Sequence, residues 1–167
     1  PMGGERLSTA AAALDLPLRA FTRDAGVDVL SLGGTKNGAM LAEAIVVLDP
    51  EASDGLKFLR KLNMQLASKM RFVSAQLIAL YEGDLWLRNA AHANAMAARL
   101  RAGIEAGIAD GSIRGVAFSQ PTQANRVFAT LPTGVADQLR ERVRFYDWDA
   151  ARSEVRWVCS FDTEPSD

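Results

Sequence analysis

Two short hydrophobic runs bracket the sequence Gly33-Gly34-Thr35-Lys36-Asn37-Gly38, and this arrangement limits the chain more than any other feature. The run Val27-Asp28-Val29-Leu30-Ser31-Leu32 is rich in β-branched and apolar residues and stops at glycines, which predicts a short buried strand. Ala42-Glu43-Ala44-Ile45-Val46-Val47-Leu48 predicts a second strand, closed by Asp49-Pro50. One lysine is therefore expected in a glycine-rich loop at the edge of a hydrophobic sheet. Glycine lets a backbone approach a ligand closely, and a lysine free to lose its proton there forms an imine with a carbonyl compound. A tight turn whose lysine points into water is the commoner outcome for such a loop. The loop alone leaves both open. It lacks the Gly-x-x-x-x-Gly-Lys spacing of a P-loop, so a nucleotide-phosphate cradle is set aside.

Charge and rare residues close off several function classes. Nineteen basic side chains against 20 acidic ones give a net charge of −1, with no basic excess for nucleic acid and no charged tail. Cys159 is the only cysteine, which excludes an internal disulfide framework and fits a reducing compartment. His92 is the only histidine. A metal centre or a Ser-His-Asp triad would rest on that one ring, so neither is expected. No apolar run approaches the ~20 residues of a membrane span, and a cytoplasmic location is expected. The chain opens on Pro1 rather than methionine and reads as part of something longer.

Taken in order, residues 5–25 predict two short helical pieces broken at Pro17. After Pro50, Ser53 is expected to cap a long helix. Its apolar residues recur at helical spacing, through Leu56, Leu59, Leu62, Leu66, Met70, Val73, Leu77 and Leu80, as far as Tyr81. Gly83-Asp84 breaks that pattern, and an alanine-rich helix is expected over 85–108. Helices of this kind more often serve packing or subunit contact than chemistry. Strands are expected at 115–118, 125–131, 146–148 and 155–161, with a helix at 136–143. That order suggests a small α+β domain attached to a larger α/β one. His92, in the alanine-rich helix, is expected to be structural. Cys159, alternating with Trp157 and Phe161, is expected to be a buried, inert thiol.

The residues also resemble a known family. Gly26-Val27-Asp28-Val29-Leu30-Ser31, then Gly34-Thr35-Lys36-Asn37-Gly38-Ala39-Met40, are similar to the lysine segment of the pyridoxal-phosphate-dependent threonine aldolases and related lyases. The likeness continues through Gln65 to Phe72, Ala75-Gln76, His92 to Ala97, Ala124 to Phe128 and Val155-Arg156-Trp157-Val158. Spread in order over nearly the whole chain, it is closest to the low-specificity L-threonine aldolase and phenylserine aldolase branch, in its carboxy-terminal part. The resemblance implies a fold-type-I α/β architecture, here a partial large domain plus a small C-terminal α+β domain. Residues 1–55 would be the end of the cofactor-binding domain, and 56–167 the long helices and small domain. It implies cleavage of β-hydroxy-α-amino acids such as L-threonine or phenylserine to glycine and an aldehyde. Pyridoxal 5'-phosphate would be the cofactor, and self-association to a dimer or tetramer is implied. Lys36 matches the Schiff-base lysine. Arg156 and Arg6 match arginines that face the substrate carboxylate, a task suited to a planar guanidinium fork. Arg71 matches a residue near the cofactor phosphate, reaching a neighbouring subunit's site.

One segment departs from the pattern. Family members read His-Met-Asp-Gly-Ala-Arg where this chain reads Pro1-Met2-Gly3-Gly4-Glu5-Arg6. The aspartate pairs with the pyridine nitrogen and makes the ring an electron sink, a role closed to Gly3. The family's phosphate cradle and ring-stacking histidine lie upstream of the matched region. The isolated chain is therefore expected to be inactive, whether a carboxy-terminal part of an aldolase or a degenerate relative. The alternative from another class is a non-catalytic assembly module that buries the apolar faces of residues 56–108 against a partner chain.

Overall fold

The computed structural model describes residues 1–167, which form two compact units, Pro1–Ala90 and Ala91–Asp167. In the first, strand β1 (Met2–Gly4) is followed by helices α1 (Leu7–Leu14) and α2 (Leu18–Phe21), then strands β2 (Val29–Gly33) and β3 (Glu43–Val47). These strands form a three-stranded sheet in the order β1-β2-β3. β1 runs parallel to β2, with Gly4 opposite Leu32, whereas β3 runs antiparallel, with Glu43 opposite Gly33. The short strand β1 was not anticipated, because Met2-Gly3-Gly4 carries no strand-forming side-chain pattern. Close packing requires glycine at position 4: a Cβ there would lie 2.6 Å from Leu30 Cδ1 and 2.9 Å from the Ser31 carbonyl.

Helices α3 (Leu56–Leu62) and α4 (Arg71–Tyr81) replace the single helix expected over 56–81. The apolar period runs on through the break, which is why spacing alone missed it. Helix α3 stops at Asn63, whose side chain donates to the Leu59 carbonyl at 2.9 Å. Gln65 N–H then donates to Arg60 O and Met64 N–H to Lys61 O, the paired bonds of a Schellman end. Met64 takes the left-handed conformation usually given to glycine, φ +56°, and Lys69 repeats it at φ +59°. Ser53 does not cap α3. It lies in a 3-10 turn capped by Asp49, and α3 starts after Gly55 at φ +75°.

Helix α5 (Leu85–Ala109) contains the boundary between the units. The second unit carries strands β4 (Ala117–Phe118), β5 (Arg126–Thr130), β6 (Tyr146–Asp149) and β7 (Glu154–Val158), with helix α6 (Val135–Arg140). They form an antiparallel sheet in the order β4-β5-β7-β6. One face packs Val127, Ala129, Leu131, Val155 and Trp157 against Met96 and Ala97 of α5 and Val135, Ala136 and Leu139 of α6. Ala97 of α5 serves this contact, since its small side chain lets helix and sheet approach. No helix is long and apolar enough to cross a membrane.

Candidate active site

Two of the residues singled out from the sequence, Arg6 and Lys36, lie where the first unit's parallel strands end. Glu5 and Arg6 follow β1, and Lys36 stands in a 3-10 turn, Thr35–Asn37, that follows β2. In open α/β sheets the carboxyl ends of the strands are where ligands bind. Glycines shape the turn for physical reasons. A Cβ on Gly34 would stand 3.0 Å from the Ala42 carbonyl and 3.2 Å from Ala39 Cβ, and Gly38 closes the turn at φ +113°, where other residues are strained.

The turn is braced from behind while its lysine faces water. Asn37 is buried and donates from Nδ2 to the Trp86 carbonyl at 2.8 Å, and its own carbonyl accepts from Asn89 Nδ2 at 2.9 Å. Asn37 Oδ1 is buried without a partner. The Tyr81 hydroxyl donates to the Gly33 carbonyl at 3.0 Å. Gln76 Oε1 accepts from the backbone N–H groups of Met40 and Leu41 at 2.9 and 3.2 Å. Burial pushes the Tyr81 hydroxyl above its ordinary value; its hydrogen bond with Ser8 opposes this and the charge of Glu43 adds to it. Lys36 is exposed and takes part in none of the chain's ion pairs. In the sequence Asn37 and Gln76 stand only inside segments that carry the resemblance, and Tyr81 and Asn89 carry no functional signal. The bracing role of all four is revealed only where segments up to 52 residues apart meet.

Arg6 and Arg71 share this unit with Lys36. Arg6 precedes α1, and its carbonyl accepts from Ala10 N–H and from the Thr9 hydroxyl. Arg71 opens α4 with its guanidinium 4.9 Å from the centre of the Phe72 ring.

Arg156 lies in the second unit, on the sheet face opposite the helices. In register it stands between Phe128 of β5 and Tyr146 of β6. Its guanidinium lies 4.9 Å from the Trp148 ring centre, and Trp148 meets Phe128 edge-on at 5.3 Å. The Nε atom is buried and has no hydrogen-bond partner. A half-buried guanidinium stacked on an aromatic ring is oriented before any ligand arrives. His92 is occupied within this unit, its Nε2–H donating to the Thr163 carbonyl at 2.8 Å. Cys159 is buried, and burial pushes its thiol upward, away from the reactive thiolate.

This pairing of a lysine turn at a sheet's carboxyl edge with a small four-stranded antiparallel unit is the fold-type-I α/β architecture, as expected. Comparison with solved proteins bears this out. The chain aligns with a threonine aldolase structure from Leishmania major at a TM-score of 0.82 and 28% identity, covering 97% of this chain and 46% of that one. It is 40% identical over 164 residues to the low-specificity L-threonine aldolases of a Pseudomonas species and of Pseudomonas aeruginosa. Those alignments take in 98% of this chain and 45% of each relative. The resemblance to low-specificity L-threonine aldolases, in their carboxy-terminal part, therefore holds along the chain, which spans about half the length of the curated relatives it matches. No family model matches the chain.

Proposed function

We propose that this chain supplies the cofactor-anchoring and carboxylate-binding residues of an enzyme that cleaves β-hydroxy-α-amino acids, L-threonine and phenylserine among them, to glycine and an aldehyde. The observation that carries this reading is the place of Lys36, on a glycine-shaped turn at the carboxyl end of the parallel strands that is held from behind by Asn37, Tyr81 and Asn89. Such an amine is positioned to condense with the aldehyde of pyridoxal 5'-phosphate, losing water and fixing the cofactor covalently. When bound, the cofactor supplies a ring that accepts the electron pair left at Cα as the Cα–Cβ bond opens.

The rest of the work falls to the chain. Arg156, pre-oriented by Trp148, offers its fork to the substrate carboxylate. Arg6, at the same sheet end as Lys36, is proposed to face that carboxylate too. Arg71 is proposed to meet the cofactor phosphate, in a neighbouring subunit's site. Asn37, Tyr81 and Gln76 keep the lysine turn from drifting, which matters because displacement by an ångström costs catalysis heavily. The relatives that carry the activity are more than twice this chain's length. The 167 residues alone are accordingly proposed to be inactive.

A specific observation also favours association with a second copy. Phe58, Leu62, Met64 and Phe72 are 68%, 77%, 89% and 63% exposed, an unusual density of uncovered apolar side chains within one short segment. Sedimentation should show a dimer or tetramer at micromolar concentration, and a stable monomer would remove this part of the reading. For the activity, the test is glycine release from L-threonine by the protein as its gene encodes it in full. Turnover should vanish in Lys36→Ala. Turnover unchanged by that substitution would refute the proposal.

A further inference from the structure

Position 3 holds a glycine, yet a carboxylate stands beside it. A Cβ built on Gly3 would lie 3.6 and 3.7 Å from the two carboxylate oxygens of Glu5, an ordinary van der Waals contact from where an acidic side chain at that position would begin. We infer that Glu5 is the acidic partner of the cofactor's ring nitrogen, filling the role that Gly3 leaves open. This rests on the pyridoxal-phosphate reading given above.

Three features of the fold support the assignment. β1 and β2 are parallel with Gly4 opposite Leu32, so the chain reaches Glu5 at the same sheet end at which β2 turns into Lys36. The two segments are in close contact there: a Cβ on Gly33 would lie 3.0 Å from Glu5 Cα, so glycine at 33 is what lets residue 5 come alongside the lysine's strand. The Glu5 side chain is exposed and belongs to no ion pair of the chain, so its charge is not already spent on a protein cation. The other charged groups at this end are otherwise placed. Glu43 Oε2 lies 2.7 Å from where a Gly33 Cβ would be, and its charge acts on the Tyr81 hydroxyl. Arg6 is positive and repels a pyridinium. Lys36 is the anchoring amine itself.

Glutamate and aspartate carry the same carboxylate, and an opposite charge within about 4–6 Å raises the affinity of a ring nitrogen for its proton by about 1–3 pH units. Glu5 is one methylene longer than an aspartate and leaves the chain two residues later. Its carboxylate nevertheless returns to the space beside position 3.

The test uses the protein as its gene encodes it in full, loaded with pyridoxal phosphate labelled with 15N in the ring. The 15N signal follows ring-nitrogen protonation against pH, and borohydride reduction with peptide mapping reports attachment separately. The ring nitrogen should stay protonated at neutral pH in the unsubstituted protein. Glu5→Gln should lower its protonation midpoint by about 1–3 pH units with Lys36 still labelled. Glu43→Gln should leave the midpoint in place, and Gly3→Asp added to Glu5→Gln should restore it. A midpoint unmoved by Glu5→Gln, with Lys36 labelled, overturns the assignment of Glu5 while the cofactor reading stands. Absence of a label on Lys36 in the unsubstituted protein overturns the cofactor reading, and the assignment with it.

Discussion

Lys36 and Arg156 are held in opposite ways. The lysine projects into water from a turn whose backbone is fixed, through Asn37, Tyr81 and Gln76, while its side chain contacts no charged partner. The arginine is gripped at its head. Its guanidinium lies over Trp148, Trp148 is wedged edge-on by Phe128, and Nε is shut off from solvent. The contrast matches the two kinds of work proposed for them. An amine that must lose a proton, bond a cofactor and give way to substrate needs a fixed root and a free tip. A receptor for a planar carboxylate needs a fixed tip, because a bidentate fork binds well in only one orientation.

The contrast can be broken first at Arg156. In the carboxylate-binding role proposed for it, Arg156 would lose on substitution by alanine charge-assisted hydrogen bonds worth about 1.5–3 kcal/mol, so KM for L-threonine should rise by roughly ten- to 150-fold in Arg156→Ala. Arg156→Lys should recover only a fraction of this, since an ammonium lacks the planar fork. Equal rescue by lysine would show that charge alone suffices and that the stacking is incidental.

The root of the lysine is probed at Asn37. Asn37→Ala removes the side-chain bond to the Trp86 carbonyl, a loss of about 0.5–1.5 kcal/mol in stability. Urea unfolding should show a lower midpoint at unchanged slope, and cofactor capture at Lys36 should weaken alongside it. A stable variant that captures cofactor normally would mean the turn needs no brace.

Trp148 separates orientation from charge. Trp148→Ala forfeits a cation–π contact of about 0.5–2 kcal/mol, so KM should rise by a few-fold to about thirtyfold while kcat stays near its starting value. Trp148→Phe should keep part of the effect. A fall in kcat with KM unmoved would place Trp148 in some other role.

The smallest effect is expected at Tyr81, and it carries a pH signature. Tyr81→Phe removes the bond to the Gly33 carbonyl, a loss of about 1 kcal/mol. Burial raises the folded-state value of this hydroxyl above its unfolded one. Folding thus favours the neutral form. Its contribution is fully present below the unfolded value, about 10, and is lost as pH climbs through the folded one. Unfolding curves should therefore show wild type and Tyr81→Phe converging at alkaline pH. A gap that stays constant would mean the hydroxyl titrates alike in both states.

The sequence foretold the two units' elements unevenly, for physical reasons. Strands β2 and β3 were readable because β-branched runs ended at glycine and at Asp-Pro, and α5 because alanine favours helix so strongly. The break between α3 and α4 was hidden. It depends on Asn63 and Met64 closing a Schellman end, and methionine is a poor advertisement for a left-handed residue. β1 was hidden because its strand character comes from pairing with β2, not from its own side chains. The same holds for the site. Lys36 stood out through its glycines and its resemblance to the aldolases, whereas Asn37, Asn89, Tyr81 and Gln76 become relevant only when distant segments meet. Glu5 is the sharpest case: in the sequence it replaces an alanine, and in space its carboxylate borders Gly3.

The central claim is that Lys36 anchors a pyridoxal cofactor, and one measurement addresses it directly. The protein as its gene encodes it in full is loaded with pyridoxal phosphate, reduced with borohydride, digested and mapped by mass spectrometry. The account predicts a pyridoxyl group on Lys36, lost in Lys36→Ala and absent from Lys57, Lys61 and Lys69. A label on any of those three in preference to Lys36, or none at all, would contradict it.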